Sequence, residues 1–367
     1  MARIVILGAG VMGSALAVPA AACPGNAVTL VGSPLDDELV DPVARSGHHP
    51  ALDADLPGSI RAVREAALDD VALREADVVV LGVSSPGVDW AVSRLEAARA
   101  APPILALVTK GLVAGEGDAP PLTYADALPA SLCSTPDGLV GIGGPCIARE
   151  LALGYPTRVT FASRHRPNAE ALRRHLATDT YRPTVAGDVV GVEACAALKN
   201  FLCIGVSAML SAHPLADSHA KNPVAALFSQ AVRELALLSA WLREASTVHR
   251  AAGGAPGGGS EGAADPVPAA FDLAGAGDLH VTVGGGRNSR LGRLLGEGAT
   301  IGEAMAGPMK GVTAEGVDTG RSLSRGLRAA TGTGPIDGAR LPLTRAILDC
   351  VDDADRPFAF DFRDLPD

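Results

Sequence analysis

Arg3-Ile4-Val5-Ile6-Leu7-Gly8-Ala9-Gly10-Val11-Met12-Gly13-Ser14-Ala15-Leu16 opens the chain and decides its fold. A short apolar run stops at a glycine, and small residues follow glycines spaced Gly-x-Gly-x-x-Gly. The run predicts a buried parallel strand, residues 14–22 predict a helix, and the glycines predict the turn between them. Each glycine is then accounted for separately. Gly8 permits the tight turn, Gly10 lets backbone approach a pyrophosphate, and Gly13 lets helix pack close to strand. The helix N-terminus meets the phosphates with unpaired N–H groups and a favourable dipole. The expectation is a nicotinamide dinucleotide site contacted by Gly8, Gly10, Val11, Met12 and Gly13. The plain alternative is an ordinary strand–turn–helix with no ligand.

Working outward, further apolar runs at 27–31, 77–82, 103–108, 139–142 and 158–161 read as strands alternating with helical stretches. That alternation predicts an α/β Rossmann domain, a mostly parallel doubly wound sheet, over residues 1–188. From residue 189 the punctuation disappears. Residues 192–210 and 224–243 read as buried helices, so 189–367 is expected to be an all-α substrate-binding domain. The first of these approaches membrane-spanning length, but Glu193, Lys199 and Asn200 inside it favour a core helix. Residues 247–268 are rich in Gly, Ala and Pro and read as a flexible insertion, close enough to Asp278 to cover a site there. The acidic tail, 352–367, is expected to be peripheral.

The second strand ends in Gly32-Ser33, where an acidic residue often holds the adenine ribose. Asp36, Asp37 and Glu38 come late, and no arginine is adjacent to hold a 2′-phosphate, so the cofactor is read as NAD or NADP without a choice.

Charge narrows the partners. With 367 residues, 47% apolar and 20% charged, the chain has a globular composition with room for two domains. A net charge of −10 gives no pull toward nucleic acid or an anionic membrane, and neither is expected as a partner. A phosphorylated substrate would need local cations. Only four lysines occur, Lys110, Lys199, Lys221 and Lys310, and arginine holds its proton too tightly to replace them in proton transfer. Six cysteines without metal spacing and eight scattered histidines suggest no metal site. The N-terminus runs straight into a strand, with no signal peptide, so a reducing, cytoplasmic setting is expected.

Lys199 lies in the apolar helix that opens the second half. The helix pattern supports two readings equally: a lysine reaching solvent, or one held in a polar pocket and able to trade a proton. Asp278 after Gly275-Ala276-Gly277, and Arg287-Asn288 after Gly284-Gly285-Gly286, are weak motifs alone. They become specific in series. Gly8 to Gly13, Val108-Thr109-Lys110-Gly111, Gly143-Gly144-Pro145-Cys146-Ile147-Ala148-Arg149-Glu150 and Pro156-Thr157-Arg158-Val159-Thr160 occur in order. Ala197-Leu198-Lys199-Asn200, Ala274 to Leu279, Gly285-Gly286-Arg287-Asn288 and Ala314-Glu315-Gly316-Val317 follow. Together they resemble the NAD(P)-dependent sn-glycerol-3-phosphate dehydrogenases across nearly the whole chain, and residues 8–19 look most like the archaeal members.

The resemblance implies a small phosphorylated ketone or polyol as substrate and a homodimer as the assembly. It makes Lys199 the proton donor and acceptor at the C2 oxygen, with Lys110 and Asp278 beside that oxygen. It gives Arg287 and Asn288 the phosphate, and Gly144 and Cys146 further substrate contacts. Ser33, Ser84, Lys110, Ala148, Arg287 and Glu315 join the glycine turn at the cofactor. There are departures. Cys146 stands where the family has Ser or Thr, and Val224 and Gln230 replace a Lys and an Arg common in bacterial members. Three rivals follow: a dehydrogenase of another polyol or sugar phosphate, a non-catalytic NAD(P) sensor, and a β-hydroxyacid dehydrogenase.

Overall fold

The computed structural model describes residues 2–135, 137–215, 218–219, 221–253, 265, 267–334 and 336–366. Two compact units divide the chain. The first is built from Met1–Lys110 and Leu128–Val189 with Asp265; the second from Gly111–Ala127, Val190–Gly257 and Val267–Asp367. Residues 111–127, placed with the first domain by sequence, therefore group with the helical unit.

The first unit is an eight-stranded sheet of β1 (Ala2–Leu7), β2 (Asn26–Val31), β3 (Arg61–Val63), β4 (Val78–Leu81), β5 (Ile104–Leu107), β6 (Leu139–Gly143), β7 (Thr160–Ala162) and β8 (Thr184–Ala186). Their order is β8-β7-β6-β5-β4-β1-β2-β3. Every neighbouring pair is parallel except β6 with β7. In register, Ile6 lies between Leu30 and Val80, so the central strands stack branched side chains into one core. Strands β4 and β5 are buried at every position, which is why they read as continuous apolar runs. Helix α1 (Val11–Ala22) packs on β1 and β2 and begins three residues earlier than its apolar pattern suggested. The short strands β3 and β8 carried no apolar run and were not foreseen.

The second unit is predominantly helical. Helix α2 (Val189–Ala212) is long and apolar enough to cross a bilayer, yet all of its apolar window is buried inside the protein. Its apolarity comes from being enclosed by other helices. A Cβ on Gly292 or Gly296 would overlap the carbonyls of Ile204 and Ala208, and one on Gly316 would overlap that of Asn200. Two neighbouring helices, Arg287–Gly296 and Glu315–Thr333, thus lie with backbone against the backbone of α2.

As expected, the second unit is predominantly helical, with a short antiparallel pairing of Pro214–Leu215 with Ser218–His219. Helix α3 (Lys221–Ala252) runs on through the start of the expected insertion, because 247–252 contain no glycine or proline and end in the good helix formers Arg250, Ala251 and Ala252. Residues 254–264 and 266 of that segment lie outside the described residues, so its flexibility and its role over Asp278 are not described. Asp265 is anchored in the first unit, its Oδ2 accepting from Gly187 N at 3.1 Å. The acidic tail is mostly exposed, as expected, and is tied to the helical unit at its start: Gly302 N donates to Ala354 O at 2.8 Å, and Ser324 Oγ donates to Asp352 at 2.9 Å.

Candidate active site

In the first unit the sheet itself gathers the expected residues. β2, β1, β4, β5 and β6 are parallel neighbours, and Ser33, the glycine turn, Ser84, Lys110 and Gly144 follow their carboxyl ends. Open α/β sheets bind ligands at that edge, where strand order reverses, here beside β1. The geometry of the glycine turn fits a dinucleotide. Gly8 has φ +109°, and a Cβ there would sit 2.7 Å from Val83 Cγ1. A Cβ on Gly13 would overlap the Gly8 carbonyl, whereas one on Gly10 would meet nothing within 4 Å. Gly8 and Gly13 are therefore required by the turn itself, and Gly10 leaves open the approach that a pyrophosphate needs. Gly10 is the N-cap of α1, and no side chain caps that helix, which leaves its first N–H groups for an anion. Val11 is exposed at 44% beside it, and half-buried Met12 packs on the core behind.

Two neighbouring turns brace each other. Thr109 Oγ1 donates to Val83 O at 2.7 Å, and Ser85 Oγ donates to Lys110 O at 2.9 Å. The half-buried Lys110 is thereby fixed through its backbone next to the exposed Ser84. Gly144 has φ +132° and a Cβ there would lie 2.9 Å from Val159 Cα, so only glycine fits where β6 gives way to the Pro145-Cys146 turn. Cys146 and Ala148 are partly buried against the core.

Asp36, late in the sequence, is brought back to the end of β2. Its Oδ2 accepts from Ser33 N at 2.8 Å and from Ala9 N at 3.0 Å. The acid missing from the strand end is therefore present there in space, engaged with two backbone donors.

In the second unit Lys199 and Asp278 meet. Lys199 Nζ donates to Asp278 Oδ1 at 2.6 Å and to Thr282 Oγ1 at 2.7 Å. Lys199 is 4% exposed and Asp278 2%, which selects the polar-pocket reading over a lysine reaching solvent. Asp278 opens the helix α4 (Asp278–Gly284) just after a π-helical turn, Leu273–Gly277. There a Cβ on Gly275 would overlap the Ala270 carbonyl. Such turns re-aim side chains, and this one sets the carboxylate against Lys199. Thr282, one helical turn on, donates to Asp278 O at 2.6 Å, so its oxygen faces the ammonium with a lone pair. Sequence reading missed Thr282; its i+4 spacing from Asp278 was the available signal.

A second cluster surrounds the start of the helix Glu315–Thr333. Arg287 Nη2 donates to Glu315 Oε1 at 2.8 Å, Asn200 Nδ2 to Glu315 Oε2 at 3.1 Å, and Gly316 N to Asn288 Oδ1 at 2.9 Å. The expected residues Arg287, Asn288 and Glu315 thus touch or adjoin one another. Asn200, next to Lys199 on α2, joins them. Asn288 is buried with its carbonyl oxygen on a backbone N–H, which turns its amide N–H₂ away from that contact. Near Lys199, burial pushes the Cys203 thiol up to about 11, although Ser207 and the Lys199 cation pull it down. Among the described residues no His, Cys, Asp and Glu side chains group as a metal site.

A buried ammonium held by a carboxylate and a hydroxyl can give a proton to a developing alkoxide in a water-poor setting. A guanidinium beside a buried amide can grip a phosphate.

Comparison with known proteins identifies one family. The family model for the NAD-dependent glycerol-3-phosphate dehydrogenase N-terminus matches residues 3–169, and that for the C-terminus matches 188–359. The NADP(+)-dependent glycerol-3-phosphate dehydrogenase of Archaeoglobus fulgidus is 33% identical over 300 residues, covering 82% of each chain. The glycerol-3-phosphate dehydrogenase [NAD(P)+] of Anaeromyxobacter dehalogenans is 32% identical, covering 94% of this chain and 92% of its own. The crystal structure of glycerol-3-phosphate dehydrogenase from Coxiella burnetii superposes with a TM-score of 0.68 at 25% identity, covering 96% of both chains. The chain belongs to the NAD-dependent glycerol-3-phosphate dehydrogenase family and is an NAD(P)-dependent oxidoreductase of a polyol or sugar phosphate.

Proposed function

We propose that this protein reversibly reduces dihydroxyacetone phosphate to sn-glycerol 3-phosphate. The buried Lys199–Asp278 pair carries the reading, because it supplies a proton where a ketone would become an alcohol. The nicotinamide, when bound, supplies the hydride that goes to C2. Lys199 Nζ gives its proton to the C2 oxygen and recovers one in the reverse direction. Asp278 and Thr282 hold that ammonium in place. Arg287 and Asn288 grip the phosphate, with Glu315 orienting the guanidinium. Lys110, Gly144 and Cys146 in the first unit are assigned to substrate, and Ser33, Ser84 and Ala148 to cofactor, by the resemblance. Descent near the archaeal members, a homodimer and a cytoplasmic setting are inferred in the same way; light scattering checks the dimer.

Purified protein should turn over dihydroxyacetone phosphate with NADH, NADPH or both, the relatives including an NADP(+)-dependent and several NAD(P)+ enzymes. A second reading, a dehydrogenase of another polyol phosphate, is favoured by Cys146, Val224 and Gln230 where the family has other side chains. Activity on a different ketose phosphate, with none on dihydroxyacetone phosphate, would replace the first reading by the second. Dinucleotide binding without turnover of any ketose phosphate would leave the sensor.

A further inference from the structure

We infer that His49 and Asp36 are positioning residues for the dinucleotide turn, clamping the two peptide groups that flank Ala9. The inference rests on the family's NAD(P) cofactor binding at Gly8 to Gly13. Ala9 N donates to Asp36 Oδ2 at 3.0 Å, and Ala9 O accepts from His49 Nε2 at 2.9 Å and from Ser14 Oγ at 3.1 Å. His49 is fully buried. Its other nitrogen, Nδ1, faces Leu52 N at 3.1 Å. A backbone N–H only donates, so Nδ1 must be the acceptor, and the neutral ring carries its hydrogen on Nε2. Leu52 thus sets the tautomer that lets His49 hold the Ala9 carbonyl.

The consequence follows from peptide planarity. No peptide bond among the described residues is cis, so the Gly10 N–H points opposite to the Ala9 carbonyl. With that carbonyl drawn inward by His49 and Ser14, the Gly10 N–H faces the open side of the turn. A Cβ on Gly10 itself would meet nothing within 4 Å, so there is open space around that residue. A flipped peptide would present a carbonyl oxygen to the pyrophosphate instead, repelling it. Asp36 fixes the preceding peptide in the same way, and its bond to Ser33 N ties the turn to the end of β2. His49 lies in a short hairpin, His48–His49 pairing with Ala54–Asp55, which is itself fastened: Arg149 Nε donates to Leu52 O at 3.1 Å, and Arg149 Nη2 donates to Asp53 Oδ2 at 2.8 Å. Arg149 follows Ala148 at the start of the helix Ala148–Ala152, so two parts of the cofactor site share one scaffold.

The test is calorimetric titration of the full chain with NADH and with NADPH. His49→Ala should weaken whichever dinucleotide the wild type binds by about tenfold, the worth of one lost oriented hydrogen bond. His49→Gln, which carries an N–H near the reach of Nε2, should recover most of that loss. The turnover number at saturating cofactor should stay within about twofold, since the clamp acts on binding. Unchanged affinity in His49→Ala, or equal losses in His49→Ala and His49→Gln, would overturn the proposal in favour of simple packing. Should His49→Ala not fold, the half-buried Asp36→Ala serves: a similar loss supports the clamp, and wild-type affinity overturns it. A wild type that binds neither dinucleotide overturns the cofactor reading itself, and the clamp with it, before any variant is made.

Discussion

Lys199 shows what a single side chain reveals in sequence and what it does not. Its place in an apolar helix was legible, but whether it reached solvent depended on Asp278 and Thr282, which come 79 and 83 residues later. Lys199→Ala is expected to lower the turnover number by at least ~100-fold, with dinucleotide affinity within about twofold in calorimetry. Asp278→Ala leaves a buried ammonium without its carboxylate and should cost about 3–5 kcal/mol of stability in urea titration. Wild-type stability in that variant would show that the pair is not buried as described. Cys203 gives a pH prediction. With its thiol raised to about 11 by burial, the neutral form dominates at pH 8 and only about one thiol in a thousand is ionised. Alkylation followed by mass spectrometry should therefore find Cys203 unlabelled in the native protein at pH 8, and labelled at the same pH once urea unfolds the chain and frees the thiol from burial. Rapid labelling of the native protein at pH 8 would contradict that burial. Asp36 was set aside in sequence as too late, since position in a turn is not read from spacing; it returns to the strand end because the chain doubles back over Ser33.

At the scale of elements, the strand–turn–helix at the N-terminus was readable because its causes are local. Apolar run, glycine spacing and small-residue helix all lie within one short stretch. Two glycines in that stretch should behave differently. Gly10→Ala has room and should fold with near-wild-type thermal stability, yet lose most dinucleotide affinity, because the methyl stands where backbone must approach the phosphates. Gly13→Ala meets the Gly8 carbonyl and should lose stability as well as affinity. Equal melting temperatures for the two variants would sink the distinction. The helix Ile301–Ala306 offers a calibration away from any site. Thr300 and Glu303 form a reciprocal cap, with Glu303 N donating to Thr300 Oγ1 at 3.2 Å and Thr300 N to Glu303 Oε2 at 2.9 Å. Strands β3 and β8 were not legible, for they are short and owe their extended form to pairing with distant partners. The antiparallel pairing of β6 with β7 was likewise invisible, since an apolar run has no direction.

For the whole molecule, ligand binding should register as stability. A dinucleotide at 100 times its dissociation constant should stabilise the native state by about 2.7 kcal/mol, seen as a rise in melting temperature. Hydrogen exchange should slow first in the turns at the carboxyl ends of β1, β4 and β5; slowing confined to the helical unit would contradict the site. The sequence by itself determined the class of the fold: a glycine-turn α/β unit and a helical unit. Local periodicity and composition reflect which faces are buried, and they survive without knowledge of partners. It also picked out Lys199, Asp278, Arg287, Asn288 and Glu315, through motifs in register. Only the tertiary structure decided which of these touch, that 111–127 joins the helical unit, and that Asp36 and His49 hold the glycine turn from 27 and 40 residues away. Those outcomes depend on long-range hydrogen bonds and close backbone packing, and no window of sequence contains both partners.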